Sequence, residues 1–425
     1  MSRMADGKRT ATMPDIRVPA RLTFAGLAGG LLVGLLLRGG GAEGPVLAVA
    51  GPVGALWLRA LQMTIVPLVA ALLFTGIVRT VAAAQAGVLA RRTLALFAAV
   101  LTAGSLLAVL AMPLLLQALP IPSQAVAALG GMTAAEPGPV PGFAEFLASL
   151  IPANIVAAAA SDAMVPLIVF IALFALATTR LPEAPRRQLT LLFEAIAEAM
   201  MVVIGWVLAL APIGVFALAL GVAASSGAAA IDALAHYILL VSAMGIIVLI
   251  AAYLLAILAA RQKPGAFARA VLPAQAVAFS TQSSLASLPA MLAACRALGI
   301  REATADFVLP LAVALFRATS PAMNLAVVIY AAALTGVELP PAALAAGLGV
   351  ALLTTLGSVS LPGTISFVAS TGPIALAMGV PLEPLALLVA VEMLPDIVRT
   401  VGNVTMDVAV TATVDKRAES TPQHD

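Results

Sequence analysis

Eight stretches of this chain are apolar for long enough to cross a lipid bilayer. They are residues 22–37, 51–78, 93–116, 146–178, 191–220, 235–260, 306–334 and 384–411. A spanning helix needs about 20 mostly apolar residues. In lipid no water is available to pair with backbone N–H and C=O groups, which leaves helices or closed barrels. Runs of this length predict helices, so the expected fold class is an all-α polytopic membrane protein. Composition agrees, with 62% hydrophobic and only 10% charged residues. Soluble domains carry roughly 25% charged residues. That deficit excludes a cytosolic enzyme, a secreted domain and a nucleic-acid binder. A net charge of +2 says little about partners.

Two further apolar stretches do not read as simple spans. Residues 266–292 are interrupted by Ser280-Thr281-Gln282-Ser283-Ser284, and residues 341–377 by Ser358-Val359-Ser360-Leu361-Pro362-Gly363-Thr364. A polar tip between two half-length helices must be buried in protein or line a cavity. Both are therefore expected to be re-entrant helical hairpins, the alternative being one kinked span each. Positive charge favours the hairpins. Lys and Arg concentrate in cytoplasmic loops. Here they cluster before the first span, at Arg79/Arg91/Arg92, Arg180/Arg186/Arg187, Arg261/Lys263/Arg269, Arg296/Arg301 and Lys416/Arg417. Loops 117–145, 221–234 and 335–340 contain neither residue. Eight spans plus two re-entrant hairpins put every cluster on one side, with both termini cytoplasmic in the inner (plasma) membrane. The start reads as a retained first helix following a basic stretch, not a cleaved signal peptide.

Charge inside apolar sequence is costly and usually functional. Arg317 lies deep in the seventh span. In the last span Glu392, Asp396, Arg399, Asn403 and Asp407 follow spacings of 4, 3, 4 and 4. At helical periodicity they share one face. A lone Asp396–Arg399 ion pair is the simpler account, but it needs no ladder four turns long. Gly26, Gly30 and Gly34 form a small-residue stripe that permits close helix approach. The Gly- and Pro-rich segment 130–141 reads as an extracellular loop and 416–425 as a disordered cytoplasmic tail. One cysteine, Cys295, excludes an intramolecular disulfide, and no cofactor or metal cluster is implied. Of two histidines, His424 lies in the tail and His236 follows a loop, which offers little for catalysis.

Eight spans, two serine- and glycine-containing hairpins and the run Asp396-Ile397-Val398-Arg399-Thr400-Val401-Gly402-Asn403-Val404-Thr405-Met406-Asp407 form a specific combination. It resembles the dicarboxylate/amino acid:cation symporters, the glutamate transporter family. Ala211-Pro212-Ile213-Gly214-Val215-Phe216, Val66-Pro67-Leu68-Val69 and the Ser283-Ser284 tip followed by Pro289 match further family signatures. The resemblance covers essentially the whole chain. It implies a homotrimer in the bilayer, each protomer with a fixed scaffold and a transport domain that moves as an elevator. On that pattern 1–92 carries the first two scaffold helices, 93–120 the third helix of the transport domain, and 121–230 an extracellular loop with scaffold helices four and five. The rest of the transport domain is 231–415, and 416–425 is the tail.

The resemblance also assigns roles. Arg399 would pair with a substrate side-chain carboxylate, Asp396 with an α-ammonium, and Asn403 with the backbone end. A guanidinium suits bidentate recognition of a carboxylate. Ser320, Thr400, Ser283 and Ser284, together with Leu361, Pro362 and Gly363, would complete the cage. Members for neutral amino acids lack the arginine and those for dicarboxylates tend to lack the aspartate. Retention of both implies aspartate or glutamate as the small-molecule substrate.

The chain departs from the pattern where the family binds sodium. The seventh-helix motif Asn-Met-Asp-Gly-Thr reads Phe316-Arg317-Ala318-Thr319-Ser320, and Leu96–Leu101 on the third helix is apolar. Phenylalanine and alanine offer no side-chain oxygen to a hard cation. Asp407 and Asn403 remain as half of a cation or proton site, with Glu392 a further proton candidate. One negative charge is lost at 318 and a positive one gained at 317. The expectation is a divergent prokaryotic-type member that works without sodium, Arg317 replacing bound cations. Snorkelling or local capping by Arg317 is the alternative. Gln282 and Ile397 stand where other members carry arginines. Competing classes are a sodium- or proton-coupled dicarboxylate symporter, an anion-conducting channel, a non-transporting sensor and an intramembrane enzyme. The last lacks a nucleophile with a base in reach.

Overall fold

A computed structural model describes residues 20–38, 43–123, 151–161, 163–227, 229–357 and 363–419. The 130–141 loop, the second hairpin's tip residues Leu361 and Pro362, and the last six residues lie outside these. The described elements are helical throughout. In chain order they are α1 (Ala20–Leu37), α2 (Glu43–Gln62), α3 (Ile65–Ala84), α4 (Val88–Ala118), α5 (Ile155–Ala160), α6 (Met164–Thr178), α7 (Glu183–Ala209) and α8 (Ala211–Ser226). There follow α9 (Ala229–Leu258), α10 (Pro264–Thr281), α11 (Leu288–Ala297), α12 (Glu302–Leu315), α13 (Ser320–Thr335), α14 (Pro341–Gly357), α15 (Gly363–Ala377), α16 (Glu383–Leu388) and α17 (Met393–Glu419). Among the described residues five helical stretches are long and apolar enough to cross a membrane: 44–84, 88–118, 183–209, 231–258 and 302–335.

Several expected single spans are broken. The stretch 51–78 is two helices meeting at Met63 and Thr64, and 191–220 is two helices meeting at Leu210. Pro212 supplies the reason for the second break, since it has no N–H to continue the ladder. Of 146–178, the described part is a short helix and a longer one. The seventh span is unwound over 316–319, with Phe316 extended and Pro321 at the start of the next helix. The eighth is interrupted at 389–392, ending three residues before Pro395. Residues 416–419, expected as disordered tail, continue α17.

Two packing groups organise the chain. In one, α1 and α2 lie on α8, and α3 lies on α6 and α7. The glycine stripe is the seam between α1 and α8. A Cβ on Gly26 would stand 2.3 Å from the Pro212 carbonyl oxygen, on Gly30 2.4 Å from that of Phe216, and on Gly34 2.6 Å from that of Leu220. Each lies one turn beyond the last, so the helices run backbone to backbone. Trp57 seals the same group. Its ring occupies the space where a Gly214 side chain would be, and its indole N–H donates to the Val207 carbonyl at 2.9 Å. Phe74 stacks on Phe193 at 4.0 Å between centroids, with Phe174 against both.

In the other group, α17 is the central element. It is buried from Gly402 to Asp415 and packs on α9, α10, α12 and α4. Gly245 of α9 lets Val398 and Met323 approach, which brings α9, α13 and α17 together. Both candidate hairpins are paired helices, α10 with α11 and α14 with α15. Gln275 ties α10 to α17 by donating to Thr405 Oγ1 at 2.9 Å. Asp415, near the other end of α17, accepts from Arg301 at 2.8 Å and Thr304 at 2.7 Å. Contact between the groups runs mainly through α3 against α14 and α15.

Gly30→Leu should separate α1 from α8, because the clash is with backbone that has nowhere to move. Overpacking of this kind costs about 1–3 kcal/mol. A lower melting temperature of the detergent-solubilised protein is expected. Gly44→Leu, whose site is open, should leave it unchanged.

Candidate functional site

A cavity of about 330 Å³ opens where three interrupted elements meet. The α10–α11 tip contributes Thr281, Gln282, Ser283, Ser284 and Leu285. The unwound seventh span contributes Phe316 and Arg317, with Val313 beside them, and α17 contributes Asp396, Arg399, Thr400, Asn403 and Asp407. Of the five residues spaced along the last span, Asp396, Arg399, Asn403 and Asp407 line the cavity. Glu392, just before α17, does not line it and bonds to Arg399.

The tip is shaped locally. Gln282 adopts a left-handed conformation (φ 51°), which ends α10 and turns the chain. Ser283 Oγ then accepts from the Ala286 N–H, and Ser287 donates back to the Ser283 carbonyl at 2.9 Å. These bonds satisfy backbone groups that lipid could not. Ser284 is half-buried at the cavity edge.

The unwound segment brings two helix ends to the cavity. The last carbonyls of α12 and the first N–H groups of α13 have no intrahelical partners. Asn403 answers part of this deficit: its Oδ1 accepts from the Thr319 N–H and hydroxyl, both at 2.9 Å. Gly402 makes the approach possible, since a Cβ there would lie 2.6 Å from the Thr319 methyl. Arg317 is half-buried and sits in the field of Asp396, Asp407 and Arg399. Its positive charge suits the negative end of α12. Behind it, Phe316 stacks on Phe97 of α4 with centroids 4.2 Å apart and planes within 7°.

Arg399 is almost fully buried and firmly held. Nη2 donates to Glu392 at 2.6 Å and Nη1 to Asn324 Oδ1 at 2.8 Å, while Nε lies 3.3 Å from Asp396. The other Glu392 oxygen accepts from the Tyr237 hydroxyl at 2.8 Å. Thr400 donates to the Asp396 carbonyl at 2.9 Å, keeping its hydroxyl on α17. Ser320 Oγ and Asp407 Oδ1 are buried without a hydrogen-bond partner among the described residues. Gly363 opens α15; Ser320, at the start of α13, is not part of the cavity wall.

Tyr237, Asn324 and Thr319 escaped the sequence reading. Asn324 left a signal: it is the one amide in the otherwise apolar run after Ser320, and it lies four residues on. Tyr237 left none beyond being a tyrosine in a span.

A family model described as the sodium:dicarboxylate symporter family matches residues 20–417. The chain belongs to that family. It is accordingly a multi-pass membrane transporter and not an enzyme. The proton/glutamate-aspartate symporter of Escherichia coli (strain K12) is 28% identical over 366 residues, covering 84% of this chain and 83% of the relative. The proton/sodium-glutamate symport protein of Bacillus subtilis (strain 168) is 27% identical over 400 residues, covering 90% and 88%. A C4-dicarboxylate transport protein of Pseudomonas aeruginosa (strain UCBPP-PA14) is 28% identical over 300 residues, covering 69% and 64%.

Gly402→Ala should loosen the Asn403–Thr319 contact and widen the unwound segment. Ligand affinity is expected to fall several-fold while the protein stays folded, checked by calorimetry alongside a melting curve.

Proposed function

We propose that this transporter carries acidic amino acids, aspartate or glutamate, by an elevator mechanism and without sodium. The observation that carries the reading is a buried guanidinium and a carboxylate one turn away, Arg399 and Asp396, on the wall of one cavity. One fits a side-chain carboxylate, the other an ammonium, and Asn403, Ser283 and Ser284 offer polar groups for the α-carboxylate. Relatives named for glutamate and aspartate support this choice. A relative named for C4-dicarboxylates supports a second reading, in which Asp396 serves only to hold Arg399. A channel or sensor has no specific observation in its favour.

The packing groups support a division into scaffold (1–92 and 121–230) and transport domain (93–120 and 231–415), with α10–α11 and α14–α15 as re-entrant hairpins. Broken helices meeting at a central cavity are the usual construction of transporter sites. A homotrimer with cytoplasmic termini completes the reading.

Sodium independence rests on the unwound segment. In transporters the carbonyl ends of broken helices coordinate cations. Here the Phe97–Phe316 stack fills that neighbourhood with hydrocarbon, and Ala318 offers no side-chain oxygen. Arg317 supplies a fixed positive charge in the field of Asp396 and Asp407. Coulomb energy at a few ångströms is several kcal/mol at intermediate dielectric, so a guanidinium offsets much of the negative charge there, ~4 kcal/mol per close pair. Coupling then passes to protons or is lost to exchange, with Asp407, Asn403 and Glu392 the remaining polar groups for a cation or proton.

Three measurements decide. Arg399→Ala removes one partner of a buried charged network, a loss on the order of 2–5 kcal/mol. Aspartate binding should weaken by about 30-fold or more, and unchanged affinity would sink the assignment. Asp396→Ala should penalise aspartate more than succinate, which has no amine; equal losses favour the dicarboxylate reading. Aspartate affinity of the unmutated protein should not change when sodium replaces choline in the buffer. A steep rise with sodium refutes the role given to Arg317.

A further inference from the structure

Arg399 has five N–H donors. Among the described residues one N–H of Nη1 goes to Asn324 and one of Nη2 to Glu392, while Nε faces Asp396 at 3.3 Å. The second N–H of each terminal nitrogen has no partner among them, and two such donors suit the bidentate pairing of a carboxylate. Glu392 makes the shortest of the three contacts, is 1% exposed, and does not line the cavity. It therefore pairs with Arg399 while buried and off the cavity wall. Tyr237 holds its other oxygen from α9.

We infer that Glu392 is an internal counter-carboxylate, a positioning residue that sets substrate affinity by competing for the charge of Arg399. The inference rests on the proposed role of Arg399 as the substrate's carboxylate partner. With Glu392 in place the guanidinium enters the binding reaction already paired. An incoming carboxylate shares its charge and does not neutralise a bare cation. Affinity is kept moderate, which a transporter needs if it is to release its cargo. The Tyr237 hydroxyl tunes the competition. By donating to Glu392 it withdraws part of the carboxylate's negative charge from Arg399.

This predicts opposite signs for two conservative changes. Glu392→Gln keeps volume, keeps an acceptor for Arg399 and can donate its NH2 to the Tyr237 oxygen, but removes the competing charge. Arg399 then offers more to the ligand, and L-aspartate should bind more tightly, by about 5-fold or more, the lower end of ordinary coupling between sites. Release should slow, so the maximal exchange rate in liposomes falls as the half-saturating concentration falls. Tyr237→Phe removes the tuning donor, leaves the full charge of Glu392 on Arg399, and should weaken L-aspartate binding.

The test is calorimetric titration of the full-length, detergent-solubilised protein with L-aspartate and with succinate. Unmutated protein, Glu392→Gln, Tyr237→Phe and Arg399→Ala are compared, each with a melting curve. Tighter binding in Glu392→Gln with weaker binding in Tyr237→Phe supports the inference. A merely structural Glu392 would give looser binding in both, and that result overturns it, as does unchanged affinity in Glu392→Gln. If Arg399→Ala loses binding while Glu392→Gln gains none, only this inference falls. If Arg399→Ala binds as the unmutated protein does, the substrate assignment falls and the inference with it.

Discussion

The burial of one guanidinium organises this site. An isolated charge in a low-dielectric interior is prohibitively costly, and it persists only when paired and hydrogen-bonded. Arg399 meets that condition through Glu392, Asp396 and Asn324, with Tyr237 behind Glu392. These partners come from α9, α13, the break before α17 and α17 itself. Satisfying one charge therefore fixes how three helices stand to each other. Gly245 and Gly402 are the steric counterpart, since the helices must touch for the polar groups to meet.

The breaks follow from the same requirement. A continuous seventh helix would spend its backbone groups on itself and present only side chains to the cavity. Unwinding over 316–319 exposes two helix ends, and Asn403 answers the Thr319 N–H at one of them. The price is hydrophobic area and regular hydrogen bonding. The Phe97–Phe316 stack recovers some of the first, as offset aromatic pairs contribute about 0.5–1.5 kcal/mol beyond area burial. Beside those helix ends the chain has the guanidinium of Arg317 and the hydrocarbon of the Phe97–Phe316 pair.

The α1–α8 seam works on another principle. Along it Gly26, Gly30 and Gly34 sit against carbonyl oxygens over successive turns, with the small side chains of Ala219 and Ala223 beside them. Lipid gives helices no hydrophobic reason to associate, so close packing has to supply the attraction. The two packing groups thus differ in kind. One is held by dispersion along a smooth seam, the other by a buried polar network that tolerates little displacement.

Much of this was legible in the sequence because it is periodic. Apolar run length announced a membrane protein, 3-4-4 spacing put Asp396, Arg399, Asn403 and Asp407 on one face, and Gly26, Gly30 and Gly34 announced a seam. Periodicity is local information: it says which face a residue occupies and nothing of what that face meets. Glu392, in step with the others, caps the start of α17 and meets Arg399 two turns on, but it does not reach the cavity wall. Tyr237 reaches it across 155 positions, and Asn324 reaches Arg399 across 75. The stacking of Phe97 on Phe316 is likewise a meeting of two residues that read separately as ordinary apolar side chains. Which polar group answers which buried charge was decided only by tertiary packing, because that choice is made by the distances between helices, and no interval along the chain encodes them.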